Sequence, residues 1–218
     1  MVNVTLTQDE DPWRQLALSY APKGARAGIE ALFALDAVLG QILRTTTEPM
    51  VGQMRLAWWR EALEALDTAP PPGEPVLRAL ATTVLPAGIA GEDLAPLTDG
   101  WEALLGDLGE AALEEHADRR GRLLFDLAAS LSGAADVRLV DAGRGWALGD
   151  LATHLSDAAL ASIARDRAGR ALDTALERQW SRPGRALGAL AMIARRSLDG
   201  TLPPPFVFRL AWFRLTGR

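Results

Sequence analysis

The chain has 218 residues, of which 49% are hydrophobic and 23% charged, and a net charge of −5. That length and balance can bury a hydrophobic core and exclude a disordered or low-complexity chain. The absence of cysteine excludes a disulfide framework, a thiolate zinc site, an iron–sulfur cluster and a Cys nucleophile, and two histidines, His116 and His154, are too few for a His-rich metal site. The surplus of acid argues against nucleic acid as a partner, since neutralising phosphates requires a surplus of Lys and Arg.

Ala and Leu dominate while Val and Ile are few, a balance that favours helices. Helical spacing with Pro and Gly at the joints predicts helices over Pro12–Tyr20, Lys23–Arg44 and Met50–Asp67, the last two joined by the turn Thr45–Pro49. A proline-rich loop, Thr68–Pro75, precedes a helix over Val76–Leu85. From Ala90 to Gly133 the pattern predicts one long helical region bent near Gly121. Helices over Asp141–His154, Asp157–Trp180, Pro183–Leu198 and Pro205–Thr216 complete the chain. No alternating strand pattern and no internal repeat stand out. The expected fold class is all-α, a helical bundle of eight or nine helices in a single domain over residues 1–218, because the proline-rich loop is too short to link independent cores.

The opening residues carry no basic start followed by an apolar run, and no stretch approaches the roughly 18 apolar residues of a membrane span. A cytoplasmic protein is expected. The segment 206–218 mixes Phe206, Phe208, Trp212, Phe213 and Leu215 with Arg209, Arg214 and Arg218. It reads as the closing helix of a core, with weak peripheral membrane contact as the alternative.

There is no phosphate-binding glycine loop followed by Lys and Ser or Thr, no GxSxG and no HExxH. Asp107, Glu110, Glu114 and Asp118 share an arc of roughly 80° on a helical wheel. That arc lies away from the apolar stripe through Leu94, Leu97, Trp101, Leu104, Leu105, Leu108 and Ala112, so these acids are expected in solvent rather than on a metal. On the helix from Lys23, by contrast, Asp36 and Gly40 fall inside the stripe of Ile29, Leu32, Phe33, Leu39 and Leu43. An inward carboxylate needs a partner, which Arg55 or Arg60 of the next helix could supply, the alternative being that Asp36 lies at the stripe's edge near solvent. That next helix is apolar nearly all round, which predicts burial on more than one side and a core role for Trp58 and Trp59.

The segments RAGIEALFALDAVLGQIL, from Arg26, and RLAWWREAL, Arg55–Leu63, resemble the opening of the squalene/phytoene synthases. The likeness extends from about Trp13 to Trp180 and is weak over Gly143–Asp157. It implies an isoprenoid-synthase-like helical fold, whose active members condense prenyl diphosphates head to head with Mg²⁺ held by two aspartate motifs. Laid onto this chain, the first motif falls on Gly40, Gln41 and Arg44, and the second near His154 and Ala158. None of these is a carboxylate. Pulling a diphosphate from an allylic carbon needs concentrated positive charge at the leaving group, and these positions offer Mg²⁺ no cage.

The resemblance, with these departures, implies a pseudoenzyme without prenyl transfer, cofactor or metal. It is similar to the short subgroup that includes a respiratory complex I assembly factor, and would bind an isoprenoid, a lipid or a protein partner. Arg26, Phe33, Asp36, Arg44, Arg55, Trp58 and Asp150 are the candidate ligand-binding residues. The alternative is an active prenyltransferase that holds Mg²⁺ on relocated carboxylates such as Asp36 and Asp150. An open apolar interior would favour ligand binding, and a filled one a scaffold.

Overall fold

The computed structural model describes residues 12–200 and 202–218; the opening segment read above for a targeting signal lies outside the described residues. Among the described residues the fold is all-α, with no strand. The first helix, α1 (Pro12–Leu18), leads into the longest, α2 (Lys23–Thr45), then α3 (Pro49–Glu64) with a short 3₁₀ turn to Asp67. Pro49 and Pro75 open α3 and α4 (Pro75–Thr83), where a missing amide hydrogen costs nothing. Glu74 caps α4 by accepting from the Val76 amide at 3.2 Å.

The region expected to form one helix from Ala90 to Gly133 is divided. It forms α5 (Gly91–Leu94), α6 (Leu97–Glu102), an irregular stretch over 103–109, α7 (Glu110–His116), a π-helical segment over Ala117–Arg122, and α8 (Leu123–Ser132). Gly106 and Gly109 interrupt the helix, and the Asp67 carboxylate pins the start of α5 by accepting from the amides of Gly91 at 2.6 Å and Glu92 at 3.0 Å. Gly121, where a bend was expected, lies in the π segment, which inserts one residue into the turn.

Helix α9 (Leu139–Ala152) runs through the middle, packed by α8, α10 (Ala158–Leu176), α11 (Arg185–Ser197) and the π segment. Its closest approach is to the π segment, where Gly121 and Gly143 face each other and a Cβ on either would overlap the other's carbonyl. The chain closes with α12 (Phe206–Thr216), whose Phe206, Leu210 and Phe213 are buried. Buried residues from α1 to α12 form one continuous hydrophobic cluster. No described helix is long and apolar enough to cross a membrane.

Helix α3 departs from its expected burial. Only Gly52, Leu56, Trp59 and Leu63 are buried, while Met50, Val51, Met54 and Trp58 are exposed. Its apolar surroundings in sequence were read as contacts on several sides, yet only one side of the helix meets the bundle.

Candidate functional site

Asp36 does turn inward from the middle of α2, and it is 4% exposed. Its partner is neither of the arginines expected. Arg55 donates instead to the hydroxyls of Thr45 and Thr46 at 3.2 and 3.0 Å, tying the α2–α3 turn, and Arg60 pairs with Asp99 and Glu64. Asp36 is gripped from across the bundle by Arg120 of the π segment. The Arg120 Nε donates to Asp36 Oδ1 at 2.8 Å and Nη2 to Oδ2 at 2.9 Å, a two-pronged pairing that matches the planar guanidinium to the carboxylate. The Trp101 indole Nε1 also donates to Asp36 Oδ1 at 3.1 Å.

The same guanidinium reaches α9. Arg120 Nη1 donates to Asp150 Oδ2 at 2.7 Å, and its other hydrogen points to His116 Nε2 at 3.2 Å. His116 Nδ1 lies 2.6 Å from the Gly100 carbonyl, which only accepts, so the proton sits on Nδ1 and Nε2 is the acceptor. Two tryptophans complete the enclosure, with ring centroids 4.2 Å (Trp101) and 4.6 Å (Trp146) from Arg120 Cζ. Phe33 packs edge-on to Trp146 at 5.6 Å. A guanidinium in this setting trades water for two carboxylates, a neutral imidazole and aromatic faces.

The charges follow from the packing. Burial alone would lower the pKa of Arg120, but Asp36 and Asp150 more than offset it, and the group stays charged. Burial, aided by the Arg120 charge, pushes His116 down to about 3, so its ring is neutral at physiological pH. Burial raises the Asp150 carboxyl, yet the charge and hydrogen bond of Arg120 outweigh that and hold it below its ordinary value.

Gly40, Gln41 and Arg44 lie on α2 beyond Asp36. A Cβ at Gly40 would stand 2.8 Å from Trp101 Cη2, so the indole fills the place where a side chain would project into the bundle. Gln41 and Arg44 are exposed and bond to each other, Arg44 Nε donating to Gln41 Oε1 at 3.1 Å. His154 and Ala158 share no helix, because α9 ends at Ala152 and α10 begins at Ala158. His154 Nδ1 lies 2.9 Å from the Asp150 carbonyl oxygen, at the frayed end of α9. Asp36 and Asp150 each stand four residues, about one helical turn, before the first position of a motif, Gly40 and His154. One turn upstream of each of these two positions, then, stands an acid, and the two acids share one arginine.

The other candidates scatter. Arg26 Nη2 donates to the Ser19 carbonyl at 2.5 Å, closing the end of α1, and Trp58 stands on the surface edge-on to Trp59. Arg26, Arg44, Arg55 and Trp58 therefore do not converge with Asp36, Phe33 and Asp150. Concavities of about 450 and 210 Å³ lie elsewhere, one lined by Glu177, Arg178, Gln179 and Arg218, the other by residues such as Asp136, Arg138 and Trp180.

The acidic set reaches solvent as expected, Asp107 in the irregular stretch before α7 and the other three on its far side, but those three are also tethered by arginines. Arg144 of α9 donates to Asp118 at 2.6 Å and to Glu114, and Arg167 of α10 donates to Glu114 at 2.6 Å and to Glu110. This ladder fastens α7 and the π segment to α9 and α10.

The Mg²⁺ that the resemblance implies does not fit these residues. The five motif positions carry no carboxylate, Asp36 and Asp150 are engaged by a fixed cation, and no group of three or more His, Asp or Glu among the described residues is arranged to hold a metal.

The family model described as squalene/phytoene synthase matches residues 8–173. No curated protein matches the chain, and no solved structure does.

Proposed function

The chain belongs to the squalene/phytoene synthase family, and from that premise we propose that it is a non-catalytic member whose helical body serves as a binding and assembly scaffold. One observation carries the reading: Arg120 stands between α2 and α9, saturated by Asp36 and Asp150, the acids one turn before the first position of each expected motif. A prenyltransferase needs mobile divalent charge delivered to a departing diphosphate. Here the charge is a single guanidinium fixed by hydrogen bonds and 4% exposed, with Trp101 and Trp146 packed around it. It neither reaches a substrate nor leaves room for a prenyl chain beside it.

The same filling speaks against an isoprenoid in the bundle interior and for a partner on an outer face. The exposed Met50, Met54 and Trp58 of α3 supply apolar surface of the kind such a partner covers.

The test is to incubate the purified protein with farnesyl or geranylgeranyl diphosphate and Mg²⁺, following both pyrophosphate release and hydrocarbon product. Neither is expected. Measurable squalene- or phytoene-like product overturns the reading.

A second reading keeps prenyl transfer with Asp36 and Asp150 as relocated acids, and their convergence from facing helices favours it. It requires Arg120 to swing away on substrate binding. It predicts wild-type turnover that Asp36→Asn abolishes, and undetectable wild-type turnover removes it.

A further inference from the structure

Helix α12 has two apolar faces. Phe206, Leu210, Phe213 and the following Gly217 turn toward the bundle and are buried. On the helical wheel Phe208, Trp212 and Leu215 project the opposite way, roughly 180° around, and they are 76%, 63% and 73% exposed. Ala211 lies at the edge of this stripe, beside Leu215, and is exposed as well. A soluble surface helix ordinarily carries polar residues there.

The charges on this helix are of one sign. Arg209 and Arg214 fall on the two flanks of the outward stripe, each roughly 100° or more from its centre, and both are exposed. Residues 201–218 hold three of the chain's 23 basic residues and none of its 28 acidic ones. Elements packed nearby add Arg185, which donates to the Arg214 carbonyl at 2.6 Å, and Arg178, which with Arg218, Gln179 and Glu177 lines the concavity of about 450 Å³. A molecule of net charge −5 thus presents a locally basic edge at its most exposed aromatic residues.

We propose that the outer face of α12 docks on an anionic lipid bilayer. Phe208, Trp212 and Leu215 enter the boundary between headgroups and acyl chains, and Arg209 and Arg214 reach the lipid phosphates on either side. Three points choose a bilayer over a protein. The stripe is one helix wide and, from Phe208 to Leu215, about 10 Å long at 1.5 Å per residue. Its three large side chains expose on the order of 400 Å², about half of the ~800 Å² per partner that a stable protein interface needs. A bilayer has no minimum footprint, and it rewards an apolar strip edged by cations on both sides with no anion between them. This binding is independent of whether the interior turns over a prenyl substrate.

The experiment is co-sedimentation of the full chain with vesicles of phosphatidylcholine alone and with vesicles in which about a third of the lipid is phosphatidylglycerol. Binding to the second and not the first is expected, weakening as salt is raised. Phe208→Ser/Trp212→Ser, at two exposed positions, keeps the circular dichroism and melting of the parent and lowers the bound fraction about tenfold or more. Arg209→Gln/Arg214→Gln weakens binding to anionic vesicles by a few-fold. Failure of the wild type to sediment with anionic vesicles overturns the proposal, as does a Phe208→Ser/Trp212→Ser variant that sediments like the parent. A dimer in solution that this variant abolishes, with no vesicle binding, assigns the face to a second copy and overturns it equally.

Discussion

Arg120→Met separates a buried ion-pair network from a hydrophobic plug of the same size. The variant keeps the volume between Trp101 and Trp146 but leaves Asp36, only 4% exposed, with one remaining donor, the Trp101 indole. Removing one partner of a buried pair costs about 3–5 kcal/mol, because the other charge stays desolvated. The Asp150 bond adds little, since 38% of that side chain is exposed and water can replace the guanidinium. For a chain of this length each kcal/mol moves the melting temperature by about 2–4 °C, so a drop of roughly 10 °C is expected. Urea unfolding followed by circular dichroism measures the loss directly. Arg120→Met/Asp36→Leu removes the stranded charge and is expected to recover to within about 1–2 kcal/mol of the parent, as apolar replacements of buried ion pairs do. The reasoning fails if Arg120→Met stays within about 1 kcal/mol of wild type, or if the double variant is as unstable as the single.

The same site governs acid sensitivity. His116 titrates at about 3 in the folded protein, against 6.5 as its ordinary value, so the unfolded chain binds the proton more readily. Its contribution is therefore complete above pH ~6.5 and is lost as the pH falls toward ~3, at up to about 1.4 kcal/mol per pH unit. The lowered pKa of Asp150 acts in the same direction at lower pH. Between pH 7 and 5 the wild type should lose about 2 kcal/mol more than His116→Gln, and parallel pH curves would contradict the neutral buried imidazole. Glycine positions give an independent check. Gly143→Ala presses a methyl onto the Gly121 carbonyl and should cost about 2–3 kcal/mol, whereas Gly24→Ala, on the exposed start of α2 with nothing within 4 Å, should be neutral or stabilising by up to about 1 kcal/mol. Thermal melts of the two compare them, and equal melting temperatures would mean that the α9 crossing is looser than its geometry.

How the arginine escaped a reading of the sequence has a definite cause. A wheel begun at Leu94 and run through Ala112 treats the region as one helix, and on that wheel Arg120 sits well off the stripe. The chain breaks over 103–109, so α7 starts in a new phase. Begun at Leu113, the pattern runs Leu113, Ala117, Arg120 and Leu124, all buried, with the arginine inside it. An inward acid at Asp36 and an inward base at Arg120 were each other's signal, visible only once the break was placed.

The α-class, most helix limits and the place of Asp36 on the apolar stripe of α2 were written in local spacing and residue type, because a helix and its buried face depend on neighbours three and four apart; where aspartate motifs would fall was implied by the family resemblance alone. Which cation meets Asp36 and which tryptophan fills the gap at Gly40 depend on pairings between residues 61 to 84 positions apart, and which apolar face of a helix turns outward depends on where that helix docks. Periodicity says that a side chain turns from solvent and is silent on what it turns toward. Only the packing of α2, α6, the π segment and α9 against one another decided that an arginine would occupy the centre of this bundle, and only the docking of α12 decided which of its two apolar faces would be left for something else to cover.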